Sequence, residues 1–167
     1  MTAPVTAPVT APAVTTAVPP GAFETPERAR WEDADLVGIV RYSAYTRLLD
    51  VAEAELFRAA GLAFPEVQTR YGVVLVRRVL HLEYFAPARF DAVLRVAMWL
   101  AGTPRPGAGA LTLEVAVRDE GGAAVHVAGR VVVVAVDQHT LAKRPIDADL
   151  VTRLAAVTAV AGPSAAA

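Results

Sequence analysis

The chain of 167 residues contains no cysteine. That excludes disulfides, thiolate metal sites and a cysteine nucleophile together, and it is compatible with the reducing cytoplasm, where the protein is expected to act. Charge of one sign is also lacking: 16 Lys and Arg stand against 17 Asp and Glu, for a formal net charge of −1. A polyanion finds no attractive field here, so nucleic acid is not expected as a partner. No apolar run reaches the roughly 20 residues a membrane-spanning helix needs, so no membrane is expected either. Several enzyme signatures are missing as well: there is no G-x-S-x-G elbow, no Walker loop, no H-E-x-x-H and no G-x-G-x-x-G following a strand.

The first 22 residues carry no charged side chain and repeat T-A-P-V. A secretion signal needs a basic start and an unbroken apolar stretch, whereas here Pro recurs every few residues and the first basic residue is Arg28. Recurrent Pro sustains neither a helix nor a sheet ladder, so residues 1–22 are expected to form an extended, disordered tail. Residues 161–167, ending in AGPSAAA, are expected to fray likewise, leaving one domain over residues 23–160.

With 54% hydrophobic residues the domain can bury a substantial core. Tyr45, Leu48, Leu49, Ala52, Leu56, Ala59 and Ala60 recur at intervals of three and four, which predicts a helix with one apolar face, capped by Ser43 and ended by Gly61. Its opposite face carries Arg47, Glu53, Glu55 and Arg58. Four β-rich runs follow: Val73 to Phe85, Ala92 to Leu100, Ala110 to Arg118, and Val125 to Val136. The last is apolar on both faces and is expected inside a sheet. With a further strand near Glu27 to Glu32 and a short helix over Asp147 to Val157, the pattern is α+β, a five-stranded antiparallel sheet wrapped around one long helix.

Two blocks carry the chemistry. Trp31 to Tyr45 reads WEDADLVGIVRYSAY, placing two carboxylates and a Gly directly ahead of the helix, and Glu83 to Asp91 reads EYFAPARFD. The first resembles the D-x-D-x-x-G-x-V signature of hotdog-fold thioesterases of the 4-hydroxybenzoyl-CoA thioesterase type, with Asp33, Asp35, Gly38 and Val40 in its fixed positions. The second resembles the strand-turn-strand of the Tol-Pal-associated acyl-CoA thioesterases. The resemblance covers roughly Arg30 to Val151. It implies a hotdog fold, paired protomers in a homodimer or homotetramer with the site at their interface, and a substrate that is an acyl-CoA or acyl-carrier-protein thioester. CoA or phosphopantetheine then enters as part of the substrate, and no separate cofactor is expected.

A thioester is already activated, so its hydrolysis needs a carboxylate to attack the carbonyl or deprotonate water, and donors for the oxyanion. The resemblance places Asp35 in the first role and the main-chain N–H of Tyr42, at the helix start, in the second. Trp31, Gly38, Ile39, Val40, Tyr45 and Glu53 are candidate substrate contacts. Asp33 is expected to bond local backbone and serve stability. No His or further carboxylate stands at ligand spacing, so no metal is expected. His81, His126 and His139 are expected to be structural, and Glu53, expected on the solvated or interface face, is a lesser candidate base. Arg77, Arg78, Arg105, Lys143 and Arg144 are candidates for a carrier phosphate.

This chain departs from the acyl-CoA subgroup in having Trp31 where that group has Tyr, Tyr42 where it has His, and Glu53 where it has Arg. An indole only donates, and a phenol is a poor base at neutral pH. The departures suggest a specialised substrate, with a polyketide or fatty-acyl pathway preferred. Two alternatives remain open on sequence: addition to, or hydration of, an α,β-unsaturated acyl thioester, and a non-catalytic acyl-thioester-binding protein.

Overall fold

The computed structural model describes residues 13–105 and 107–158. Strands β1 (Phe23–Arg28), β2 (Val73–Tyr84), β3 (Val93–Leu100), β4 (Ala110–Asp119) and β5 (Val125–Asp137) form one antiparallel sheet in the order β1-β3-β4-β5-β2. Helices α1 (Ala44–Ala59), α2 (Phe64–Tyr71) and α3 (Ala148–Val157) complete the architecture. The sheet curls around α1, as the hotdog fold requires.

Strand alternation explains the core. Leu94, Val96, Met98 and Leu100 of β3 face inward with Leu113, Val115 and Val117 of β4 and Val127, Val131 and Val133 of β5. Against them α1 sets Tyr45, Leu48, Leu49, Ala52, Leu56 and Phe57, all buried. Each such large side chain contributes about 1.5–3 kcal/mol by leaving water. The run that is apolar on both faces is β5, held between β4 and β2 as its composition requires.

Several local expectations are corrected. The first strand lies at Phe23–Arg28 rather than near Glu27 to Glu32, because the chain tightens into a 3-10 turn over Trp31–Asp33. Ser43 does not cap α1: its own backbone is already helical (φ −70°, ψ −24°), and its carbonyl accepts the Thr46 hydroxyl at 2.7 Å. Ala59 is exposed, and Phe57, absent from the expected apolar face, fills the core in its place. Helix α2 escapes the periodicity because it is eight residues long and buries only Val67. The Glu66 carboxylate accepts the Ala63 N–H at 2.7 Å at its start, and Gly72 ends it in the left-handed region (φ 65°).

Some of the expected disordered tail is also placed. Residues 13–22 run without regular structure across the outer face of the sheet, where Val14, Val18 and Ala22 pack on Ala97, Trp99, Ala116 and Ala128. Residues 1–12 and 161–167 of the expected tails lie outside the described residues.

Gly129 of β5 is required by close approach. A Cβ there would lie 1.9 Å from the His81 carbonyl oxygen of β2, which cannot yield because both residues sit in the β2–β5 ladder. Gly129→Ala is expected to cost at least ~2 kcal/mol by prising β2 from β5, read as a lower urea midpoint. A midpoint equal to that of the parent chain would contradict this packing.

Candidate active site

The two sequence blocks meet in space. Residues 34–40 form a tight hairpin, closed by the Asp35 N–H to the Ile39 carbonyl at 2.9 Å and the Gly38 N–H to the Asp35 carbonyl at 3.1 Å, with Gly38 at φ 75°. Only a glycine adopts that backbone cheaply. The hairpin is then stitched to the second block: the Val40 N–H donates to the Ala88 carbonyl at 2.9 Å, and the Phe90 N–H donates to the Gly38 carbonyl at 3.0 Å. Asp91 turns the chain into β3 from a left-handed backbone (φ 64°), with Arg28 donating to its carbonyl at 2.7 Å and its carboxylate at 3.1 Å.

This junction carries a cavity of about 520 Å³, lined by Trp31, Ala34, Asp35, Leu36, Gly38, Arg41 and Phe90. The Trp31 and Phe90 rings meet edge to face with centroids 5.5 Å apart, although Trp31 remains 80% exposed. Asp35 is exposed in the wall. Its Oδ1 accepts the Val37 N–H at 2.9 Å and the Ile39 N–H at 3.2 Å, which fixes the carboxylate to the turn. Its Oδ2 accepts no hydrogen bond from a described residue, so one carboxylate oxygen holds geometry while the other is available for chemistry.

Asp33, on the 3-10 turn just ahead of the hairpin, is a brace. It is 3% exposed, and its carboxylate accepts the Arg30 N–H at 2.8 Å and the Arg47 Nε at 2.9 Å, with Arg47 Nη2 completing a fork. Arg47 also reaches Glu27 of β1 at 3.1 Å. Burial alone would raise the Asp33 pKa, but the Arg47 and Arg30 hydrogen bonds and the two guanidinium charges together hold it below the usual carboxylate value. The Asp33 carbonyl accepts the Arg41 N–H at 2.8 Å, so the brace ties the hairpin, β1 and α1 together.

The start of α1 lies immediately beyond. The Ala44 N–H donates to the Arg41 carbonyl at 2.9 Å, so the first turn opens at Arg41 and the N–H groups of Tyr42 and Ser43 belong to it. Neither N–H donates to another described residue, as expected of the first groups of a helix. The Tyr42 side chain is 76% exposed and does not line the cavity; Arg41 does.

The remaining candidates separate. Trp31 and Gly38 line the cavity, Ile39 pairs with Arg89, Val40 is buried behind the hairpin, and Tyr45 is buried in the core with its ring 5.6 Å from that of Tyr84. Glu53 does not join Asp35. It is 2% exposed, which corrects the expected solvated or interface face, and its carboxylate accepts Arg77 Nη2 of β2 at 2.6 Å beside a second cavity of about 310 Å³. Burial raises its pKa, opposed by the charge and hydrogen bond of Arg77, while nearby Asp50 raises it further. Arg105 and Arg144 line a third cavity, of about 550 Å³. Arg41 and Phe90 line the cavity but are not singled out by spacing alone; Phe90 is visible only as a member of EYFAPARFD. Among the described residues no cluster of His, Cys, Asp and Glu is arranged to hold a metal ion, and no helix is long and apolar enough to cross a membrane.

Residues 29–154 match the family described as the thioesterase-like superfamily. The chain belongs to that family. It is 30% identical over 74 residues to the acyl-CoA thioester hydrolase YbgC of Escherichia coli O157:H7, a match that takes in 44% of this chain and 54% of YbgC. The chain thus spans about half the length of the curated relatives it matches. Among solved structures, protein TT1821 of Thermus thermophilus superposes with a TM-score of 0.69 at 27% identity, covering 81% of this chain and 98% of that one. The 1,4-dihydroxy-2-naphthoyl-CoA thioesterase Slr0204 of Synechocystis superposes with a TM-score of 0.70 over 80% of this chain and 96% of its own, at 15% identity, a likeness of fold alone.

Proposed function

We propose that this member of the thioesterase-like superfamily hydrolyses an acyl thioester carried on CoA or an acyl carrier protein, in the cytoplasm and within a specialised polyketide or fatty-acyl pathway. The observation that carries this reading is the position of Asp35: its Oδ1 is locked by the hairpin, and it lines an aromatic-walled cavity just before the start of α1. In this reading Asp35 either deprotonates the attacking water or attacks the thioester carbonyl itself to give an acyl anhydride that water then cleaves, and in both cases the thiolate leaves as the acyl group is released as the free acid. The Tyr42 N–H donates to the oxyanion, a contribution typically worth about 3 kcal/mol. Trp31 and Gly38 shape the acyl pocket around it, with Phe90 added from the second block.

The same reading includes a homodimer. Strand β2 is a sheet edge of 12 residues and exposes Val76, Val79 and Leu80, an apolar border that invites pairing with another strand. Sedimentation is expected to find a dimer or a multiple of one at micromolar concentration; a well-folded monomer would remove the paired site from the account.

Two substitutions at one position separate main chain from side chain. Tyr42→Phe is expected to keep most activity, because the exposed phenol is a bystander. Tyr42→Pro removes the donor while remaining tolerable in a first helical turn, and should lower kcat by about 10²–10³-fold. Folded Tyr42→Phe with a loss as large as that of Tyr42→Pro would instead make the hydroxyl a proton donor and favour chemistry on an unsaturated acyl group. A panel of acyl-CoA thioesters differing in chain length and unsaturation, followed by thiol release, tests the proposed reaction itself.

A further inference from the structure

A second buried carboxylate, away from Asp35, has no part in the proposed hydrolysis. Glu53 sits in the middle of α1 and is almost wholly out of water. Its Oε2 accepts Arg77 Nη2 at 2.6 Å, and the same Nη2 lies 2.9 Å from Asp50 Oδ1. Its Oε1 accepts no hydrogen bond from a described residue. A buried acceptor without a donor is costly, so this oxygen is ready for one brought from outside. Glu53 also stands where the acyl-CoA subgroup has Arg, which makes the feature this chain's own.

The cavity of about 310 Å³ that Glu53 lines is composed as a ligand site. Phe64 and Val67 of α2 form one apolar wall and Val73 and Leu75 of β2 the other, with Glu53 and Arg77 as the polar groups. Arg77 follows Val73 and Leu75 at the strand's period of two, on the side that meets α1. A small polar set on apolar walls fixes how a ligand is oriented. The charges also select its chemistry. A cation would meet Arg77, and an anion would meet Glu53 and Asp50, whereas a neutral hydroxyl donates to Glu53 Oε1 while its carbon body packs on the walls.

Strand β2 connects this cavity to the thioester. In the proposed homodimer, antiparallel pairing of β2 with itself about its middle, where Val76, Val79 and Leu80 are exposed, sets Val73 beside the partner's Tyr84. The Tyr84 hydroxyl donates to the Tyr42 carbonyl at 3.3 Å, next to the proposed oxyanion donor. The start of β2, which walls the cavity, then lies one strand spacing, about 5 Å, from the strand end that carries the other copy's oxyanion turn. We infer that Glu53 and its cavity form a specificity site for the far end of the acyl group, and that the acyl chain it selects carries a neutral hydroxyl there. This rests on the proposed hydrolysis and on the proposed homodimer.

The test uses pairs of acyl-CoA thioesters, each saturated chain matched with the same chain bearing a terminal hydroxyl, over a range of lengths. Binding is measured by titration calorimetry in Asp35→Asn protein, and kcat/KM by thiol release in the parent chain. At the length that reaches Glu53, the hydroxylated chain is expected to bind about 10–10²-fold tighter than its plain counterpart. Adding Glu53→Leu is expected to abolish that preference, and Arg77 keeps Asp50 as a partner in that variant. If Glu53→Leu does not fold, Glu53→Gln is read in its place, with the preference expected to fall roughly tenfold as a neutral acceptor replaces the carboxylate. Absence of a preference for the hydroxyl at every length would overturn the inference, as would a preference undiminished in the folded variant. Failure of both variants to fold would overturn it too, since Glu53 would then belong to the framework. Should hydrolysis be the reading that fails, no thiol is released from any pair while the binding preference remains; should the specificity site fail, thiol is released with no preference. Sedimentation of the same samples reads the homodimer separately.

Discussion

Asp35→Asn is expected to leave the protein folded and to lower kcat by about 10²–10⁴-fold, the range that removal of a positioned carboxylate base produces. The fold should survive because an asparagine side-chain oxygen can still accept the Val37 and Ile39 N–H groups that Asp35 Oδ1 accepts now, at 2.9 and 3.2 Å. An exposed side chain in a hairpin has little else to lose. Activity should not survive, because an amide can neither attack a thioester carbonyl as a carboxylate does nor take a proton from water. Steady-state thiol release with circular dichroism on the same sample checks both halves. Near-normal turnover in folded Asp35→Asn protein would remove Asp35 from the chemistry.

The largest effect on stability is expected at Arg47. Arg47→Met keeps the aliphatic bulk but strands the Asp33 carboxylate, 3% exposed, with the Arg30 N–H as its remaining bond. Breaking a buried pair from one side costs about 3–5 kcal/mol, and the partial exposure of Arg47 argues for the lower end. Domains are stable by only about 5–15 kcal/mol, so the urea midpoint should fall sharply. The sign of the pH dependence follows from Asp33, whose folded pKa is depressed. Its stabilisation is fully present above the unfolded value of 3.8 and is lost as pH falls through the lower folded value. The parent chain should therefore lose stability in that acid window, and Asp33→Asn should lose both the stabilisation and that share of its pH dependence. A destabilisation by Arg47→Met of less than about 1 kcal/mol would contradict the brace.

The architecture is legible in the sequence because its signals are repetitive. Four strands alternate or run apolar for eight residues or more, and α1 repeats its apolar positions over four turns, so period alone locates them. Helix α2 and the first strand are not legible in the same way, since six to eight residues around Pro65 or Pro26 carry too few repeats to show a period. The supporting role of Asp33 is legible in outline, while Asp35 is proposed for the chemistry, but the long-range partners of Asp33 are hidden. Periodicity puts Arg47 on the solvated face of α1 and Glu53 on a solvated or interface face, because a helical wheel cannot show that β1, the 3-10 turn and β2 curl far enough to meet that side. The segment 13–22 escapes for the opposite reason. Its composition forbids a ladder and so suggests disorder, yet Val14, Val18 and Ala22 need no ladder to pack on a flat face of alanines.

Cleavage of an acyl thioester by water at this site is tested most directly by product stoichiometry. A saturated acyl-CoA is incubated with the full chain, and free thiol and free carboxylic acid are quantified together. Equal amounts of the two are expected, produced catalytically and at a rate that collapses in Asp35→Asn. Intact thioester after many expected turnovers across a range of acyl chains, or product in which the thioester is retained while the acyl chain is altered, would contradict hydrolysis at Asp35.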